Sequence, residues 1–205
     1  MKIKFDACVY KTQLIDHDKI KNRLLNLINE TPFQDLTSGQ QIPNQTLLST
    51  TNILSLPNWD CHISRCDWNY SCDWNRPWFK LFRPNFDLSV RKMLGESHYD
   101  APLDIQDTWF QQYHNNDCHG WHIHGHQFTG VYYLEFPRGA PLTEIVSPFS
   151  NKKKRINVRE GDIIVFPSIW IHRAPHNNIK RKTIISFNFN LKESDECGIS
   201  YFKNS

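Results

Sequence analysis

The amino-acid sequence predicts a mainly β protein, with a β-sandwich or barrel in its second half fronted by helices. Three observations carry this. Helical periodicity is confined to the first hundred residues. From about residue 104 the period changes to that of strands. Six short β-branched and aromatic runs then follow within about 90 residues, separated by Pro, Gly, Asn and charged residues.

In chain order, "IDHDKIKNRLLNLINETPF" places Ile20, Leu24, Leu25 and Ile28 at helical spacing after an Asp-rich start and stops before Pro32. A helix over about 16–30 is expected. Residues 34–56 are polar, contain Gly and Pro and show no period, so they read as loop with one short strand. "CHISRCDWNYSC" holds three Cys and His62, but its spacings miss the close ligand pairs of a structural zinc site, so it reads as a packing loop. "RPWFKLFRP" reads as a turn and a short apolar segment. In "NFDLSVRKMLGES", Phe86, Val90 and Leu94 fall four apart and predict a helix over about 85–97.

The six strand runs are "DIQDTWFQQYH", "FTGVYYLEFP", "PLTEIVSPF", "RINV", "GDIIVFPS" and "KTIISFNFNLK". Nothing between the halves has linker composition. The expectation is a single domain over 1–205, with 1–103 as helix-rich support and 104–191 as the β core.

Composition narrows the function. The aromatic share of 13% supports a packed core, and a formal charge of +3 with the only basic cluster at "NKKKR" argues against nucleic acid as partner. The N-terminus lacks the apolar stretch of a signal peptide, and no run is long and apolar enough to span a membrane. The expected setting is the cytoplasm, or a host's cytoplasm for a viral chain. The six cysteines are then read as free thiols.

Chemistry concentrates in "HGWHIHGHQ", which holds His119, His122, His124 and His126. On a strand, residues two apart share a face, so His122 and His124 are expected to lean toward one metal. Gly125 invites a turn, so the aim of His126 stays open. About 50 residues on, "REGDIIVFPSIWIHRAPHNN" runs through an apolar strand and delivers His172. His122, His124 and His172 are therefore the candidate metal ligands. His119 and His126 stand between supporting roles and solvent. His17, His62, His98, His114 and His176 read as solvated. The basic loop at 151–155 reads as solvated too.

The ordered segments "WFQQY", "GWHIHGHQFTGVYYLEFP", "GDIIVFPSIWIHRAPHNN" and "RKTIISFNFN" together resemble the 2-oxoglutarate and Fe(II)-dependent oxygenases, in particular the compact group common in phages and marine bacteria. The resemblance covers about residues 104–191. It implies a double-stranded β-helix of the jelly-roll, cupin-like kind with one iron at its mouth. It also implies Fe(II), 2-oxoglutarate and O2 as cofactor and cosubstrates, and hydroxylation of a small-molecule or protein substrate with release of succinate and CO2. In the superfamily, a His-X-Asp or His-X-Glu pair and a distal His hold the iron. Carried over, the first is His122 and the distal one is His172, while His124 stands in the carboxylate position. Asp117 or Glu135 is the alternative source of a carboxylate.

The remote carboxylate of 2-oxoglutarate would need a basic residue at the start of the last strand. Arg181 and Lys182 both sit there, and since neighbours on a strand face opposite sides only one can point inward. Arg181 is preferred for its bidentate geometry. Tyr132 and Tyr133 divide in the same way, one toward the pocket and one into packing. Ser186 and Asn188 share a face with Lys182. Arg173 faces either the pocket or solvent, and Trp109, Trp121 and Trp170 are expected to wall the pocket. Two other readings remain open: a cupin-type three-histidine dioxygenase that needs no 2-oxoglutarate, and a non-catalytic jelly-roll module with a closed zinc site that adds His126.

Overall fold

The computed structural model describes residues 8–36, 61–95, 103–147 and 152–191. Strand β1 (Tyr10–Gln13) leads into helix α1 (His17–Glu30), then β2 (Gln34–Leu36) and β3 (Cys61–Cys66), a 3-10 turn at Trp68–Tyr70 and helix α2 (Pro77–Gly95). The rest is strand: β4 (Leu103–His114), β5 (Cys118–His122), β6 (Phe128–Glu135), β7 (Glu144–Val146), β8 (Lys153–Arg155), β9 (Asp162–Pro167), β10 (Ile171–Ala174) and β11 (Arg181–Leu191).

The strands form one curled sheet in the order β1-β9-β6-β11-β4-β3-β5-β10-β7-β8, with β2 pairing β3 off that path. Every pairing is antiparallel. The sheet passes from one half to the other along β3, which pairs with β4 through Arg65 and Cys66 and with β5 through Cys61 and His62. This is a mainly β, jelly-roll architecture, as the sequence predicts.

Two cores follow from the two faces of the larger half. Ile185, Phe187 and Phe189 of β11 join Phe110, Tyr132 and Leu134 under the helices. From the opposite face Ile184 joins Trp109, Tyr113, Val131, Tyr133, Ile145 and Phe166 between the two halves. The strict alternation of β11 allows one strand to serve both. Gly130 on β6 is required by the crowding there. A Cβ at this position would collide with the Ile164 carbonyl oxygen and with the Phe187 ring.

Helix α1 begins one residue after the expected start. Asp16 sits at its N-terminus with φ 57° and no side-chain capping bond, while Asp18 lies in the first turn, where a negative charge is favourable. Leu24 and Ile28 are fully buried. Helix α2 differs from expectation, since it starts at Pro77 rather than near 85 and carries Pro84 within it. Pro77 is well placed at a first helical position. The helix continues through Pro84 because Trp78, Phe79, Phe82, Phe86, Val90, Met93 and Leu94 bury one continuous face against the sheet. Burial of these side chains together, at about 1.5–3 kcal/mol for each, exceeds the roughly 3 kcal/mol that an internal proline costs.

The segment expected to be a packing loop at 61–72 is strand β3 followed by the 3-10 turn. Its anchor is Asp67, which is fully buried and accepts hydrogen bonds from Arg76 (2.6 Å), the Trp78 indole (2.9 Å) and the Phe110 backbone (2.8 Å). The described cysteines, Cys8, Cys61, Cys66, Cys72 and Cys118, are free thiols. Cys197 and His98 lie outside the described residues, as does most of the loop expected over 34–56. Among the described residues, no helix is long and apolar enough to cross a membrane.

Candidate metal centre

Strands β5 and β10 pair so that His122 and His172 stand directly opposite each other. His124 joins them from a different position than expected. β5 ends at His122, and residues 123–127 form an irregular loop. The side chain of His124 therefore reaches the site by the course of a loop, not by the period-two alternation of a strand.

Each of the three residues offers one ring nitrogen, and these nitrogens all lie within 4.8 Å of one another. The Nε2 atoms of His124 and His172 are 3.3 Å apart. Nitrogens bound to one metal at about 2.1 Å are separated by roughly 3–3.5 Å, so this spacing suits a shared ion. Two imidazoles are also held in the orientation a ligand needs. The Nδ1–H of His122 donates to the Gly120 carbonyl at 2.8 Å, and that of His172 donates to the Trp170 carbonyl at 2.9 Å. Donation from Nδ1 leaves the Nε2 lone pair of each free to bind. Burial pushes the His122 imidazole down to about 4, and burial with the neighbouring imidazoles holds His124 and His172 well below the ordinary histidine range. At neutral pH the rings are uncharged, which is the ligand form.

His119 stacks on His122 with ring centroids 3.8 Å apart and takes a hydrogen-bonding contact from Gln111 at 3.4 Å. His126 points away, with its Nε2 2.9 Å from Asp107. Neither alternative carboxylate reaches the three histidines. Asp117 is engaged with the His62 ring and the backbone N–H groups of Ser64 and His114, and Glu135 with Arg181.

At the start of β11 the two basic residues separate. Arg181 directs Nε and Nη2 to the two Glu135 oxygens at 2.7 and 2.9 Å, an exposed-side fork away from the inner face. Lys182 is 3% exposed and pairs in register with Tyr113, over whose ring its Nζ lies at 4.7 Å. Its Nζ donates to the Pro141 carbonyl at 3.3 Å, and burial pushes its ammonium down to about 8. Of the two basic residues, Arg181 thus has a carboxylate partner in Glu135, and among the described residues Lys182 pairs with none.

The tyrosines separate in the same way. Tyr132 packs among the helices, stacked on Phe82, with its hydroxyl 2.6 Å from the His17 ring, so His17 is a packed residue and not a solvated one. Tyr133 faces inward and its hydroxyl meets that of Thr143 at 2.7 Å. Ser186 lines the pocket and donates to Gln111 at 2.9 Å, while Asn188 donates to Asp107 at 3.1 Å. Trp109 and Arg173 line the pocket. Arg173 is tied to buried Glu144 at 2.7 Å and lies over Trp121. The sequence reading did not single out Gln111, Thr143 or Ser168. The strand alternation that assigns Ser186 inward would have found Gln111, but a polar residue between Phe110 and Gln112 carries no other signal.

By sequence, no family model and no curated protein matches the chain. By structure it is similar to an oxidoreductase of the 2OG-Fe(II) oxygenase family from Burkholderia pseudomallei, at TM-score 0.59 and 14% identity over 88% of this chain and 84% of that one. The chain has the fold of the 2OG-Fe(II) oxygenases. The same fold relates it to a prolyl hydroxylase from Trichoplax adhaerens in complex with a hypoxia inducible factor peptide, at TM-score 0.59 and 11% identity over 88% of this chain and 83% of that one. A non-heme α-ketoglutarate-dependent epimerase from nogalamycin biosynthesis aligns at TM-score 0.58 and 10% identity, over 89% and 77%. Within this oxygenase fold, the three histidines lie between the two halves of the sheet.

Proposed function

We propose that the protein is an Fe(II)- and 2-oxoglutarate-dependent oxygenase that hydroxylates a C–H bond of its substrate. The observation that carries this reading is the convergence of three neutral imidazoles, two of them locked with Nε2 free, in a fold shared with such oxygenases. His122, His124 and His172 would hold the iron, and imidazole suits iron well. Bound there, iron with 2-oxoglutarate supplies the oxidising power: R–H, O2 and 2-oxoglutarate become R–OH, succinate and CO2.

The chain's own residues supply the rest. Lys182 is the proposed anchor for the remote carboxylate of 2-oxoglutarate, since a buried ammonium with no carboxylate partner among the described residues is unfavourable unless a ligand provides one. Thr143 lines the pocket with Ser186, and its hydroxyl bonds that of Tyr133, which belongs to the core between the two halves; Tyr133 and Thr143 would orient that end. Asn188 acts at a distance, by holding Asp107. Trp109 and the apolar walls limit access of water, and the identity of the substrate is decided by the surfaces around the mouth, which include Arg173.

A closed structural zinc site would need a fourth ligand, and His126, the candidate for it, is held by Asp107. The cupin-type reading without 2-oxoglutarate leaves the buried charge of Lys182 unexplained. The test is an anaerobic titration of metal-free protein with Fe(II) and then 2-oxoglutarate, followed by the visible charge-transfer band of the chelated cosubstrate. A band in the wild type that is lost in His124→Ala, and that needs far more 2-oxoglutarate in Lys182→Met, is the expected result. Stoichiometric iron binding with no band would overturn the 2-oxoglutarate assignment.

A further inference from the structure

His124 differs from the other two histidines because no strand holds it. His122 and His172 face each other across a β ladder, whereas His124 lies on the loop 123–127 that follows β5. A ligand on a free loop would have to be ordered at every binding event, at about 1–2 kcal/mol for each residue fixed. Something must therefore hold this loop in place beforehand.

Ser168 makes the contacts that do so. It is fully buried and is the first residue after β9. Its carbonyl accepts from the His124 N–H at 3.1 Å, its own N–H donates to the Gln127 carbonyl at 3.1 Å, and its hydroxyl donates to the His126 carbonyl. The loop is tied further by Gln127, whose N–H donates to the Asn190 side chain at 2.9 Å and whose side-chain oxygen accepts from the Leu191 N–H at 2.8 Å. Four residues beyond Ser168 the chain reaches His172, whose Nε2 is 3.3 Å from that of His124.

We infer that Ser168 is a positioning residue for the third ligand: one side chain, set between the two segments that deliver His124 and His172, fixes the spacing of their nitrogens. The inference rests on the three histidines being a metal site. Two of the three hydrogen bonds use the backbone and would form with any residue. The third needs a short side chain with a hydroxyl, and without it the His126 carbonyl loses its donor.

The test uses the metal-free full chain titrated anaerobically with Co(II), reading both the dissociation constant and the visible d–d absorption envelope. Wild type, Ser168→Ala and His124→Ala are compared. Val165→Ala is the control for general loss of stability, since Val165 is buried on β9, the strand that leads into Ser168, but packs toward the helices. Ser168→Ala is expected to weaken Co(II) binding about 10- to 100-fold, as supporting residues of metal ligands commonly do. Its envelope should move toward that of His124→Ala, while Val165→Ala keeps the wild-type constant and envelope. Wild-type affinity or an unchanged envelope in Ser168→Ala would overturn the inference, and so would an equal loss in Val165→Ala. Absence of one-to-one Co(II) binding by the wild type would instead overturn the metal site itself. Should Ser168→Ala not fold, Ser168→Gly, which likewise removes the hydroxyl donor, is read in the same assay with the same two outcomes.

Discussion

An imidazole has two nitrogens, and the one that carries the proton decides whether the ring can bind a metal. Backbone carbonyls make that choice for His122 and His172. On the proposed function His124 would stand where the resembling oxygenases have a carboxylate, so its replacement by one is informative. His124→Asp is expected to retain Fe(II) and to lower the iron's reduction potential, because a negative ligand favours the more oxidised metal. Anaerobic voltammetry of the two loaded proteins would show it, and equal potentials would argue that residue 124 is not a ligand. Lys182 offers a second test. Its folded-state value of about 8 lies below that of a solvated lysine, so below pH 8 the buried charge is present and its burial is a full cost, of order 3 kcal/mol. As the pH rises from about 8 toward 10, the folded state sheds the proton first and that cost is relieved. Lys182→Met should therefore melt at a higher temperature than wild type near pH 7, and the gap should close toward pH 10. If Lys182 anchors 2-oxoglutarate as proposed, the cosubstrate needs the charged form, so its dissociation constant is expected to rise above pH 8 in wild type and to stay level in Lys182→Arg. A constant that is flat in wild type would remove Lys182 as the anchor.

Strands that carry two jobs on two faces were legible in advance, because alternation needs nothing but the sequence. That holds for β11, where the separation of Lys182 from Arg181 follows from parity, although parity alone does not say which of the two points inward. The choice came from Glu135, 46 residues away in sequence, which supplies the carboxylate for Arg181. The helix α2 shows the opposite failure. Pro84 reads locally as a stop, but the apolar face of Trp78, Phe82, Phe86 and Val90 continues across it, and tertiary burial outweighs the local signal. For His124 the expected destination was reached along a different course, since a short strand that ends at His122 cannot be told from one that runs two residues further. On β6, Gly130→Ala is expected to destabilise the protein by 1–3 kcal/mol or more, because its new methyl meets backbone and the Phe187 ring on either side. Chemical denaturation would measure this, and a change below about 0.5 kcal/mol would show that the crowding relaxes freely.

The curl of the sheet creates one core beneath the helices and another around the histidines, with β11 as the wall between them. Perturbing the first should leave the second intact. Phe187→Ala removes a fully buried ring that packs edge-on to Phe86 at 4.5 Å, and is expected to cost about 3–5 kcal/mol in stability. At a temperature where the variant is still folded, its Co(II) spectrum should match wild type, and a shifted spectrum would mean that the two cores are coupled. The amino-acid sequence by itself determined the β-rich second half, helix α1 and the three candidate ligands, because periodicity and residue type are local properties. Only the tertiary structure decided that Lys182 and not Arg181 faces inward, that His126 belongs to Asp107, and that Ser168 holds the loop of His124. Those outcomes depend on partners brought near by the closing of the sheet, and a carboxylate or a carbonyl tens of residues away leaves no mark on the local pattern.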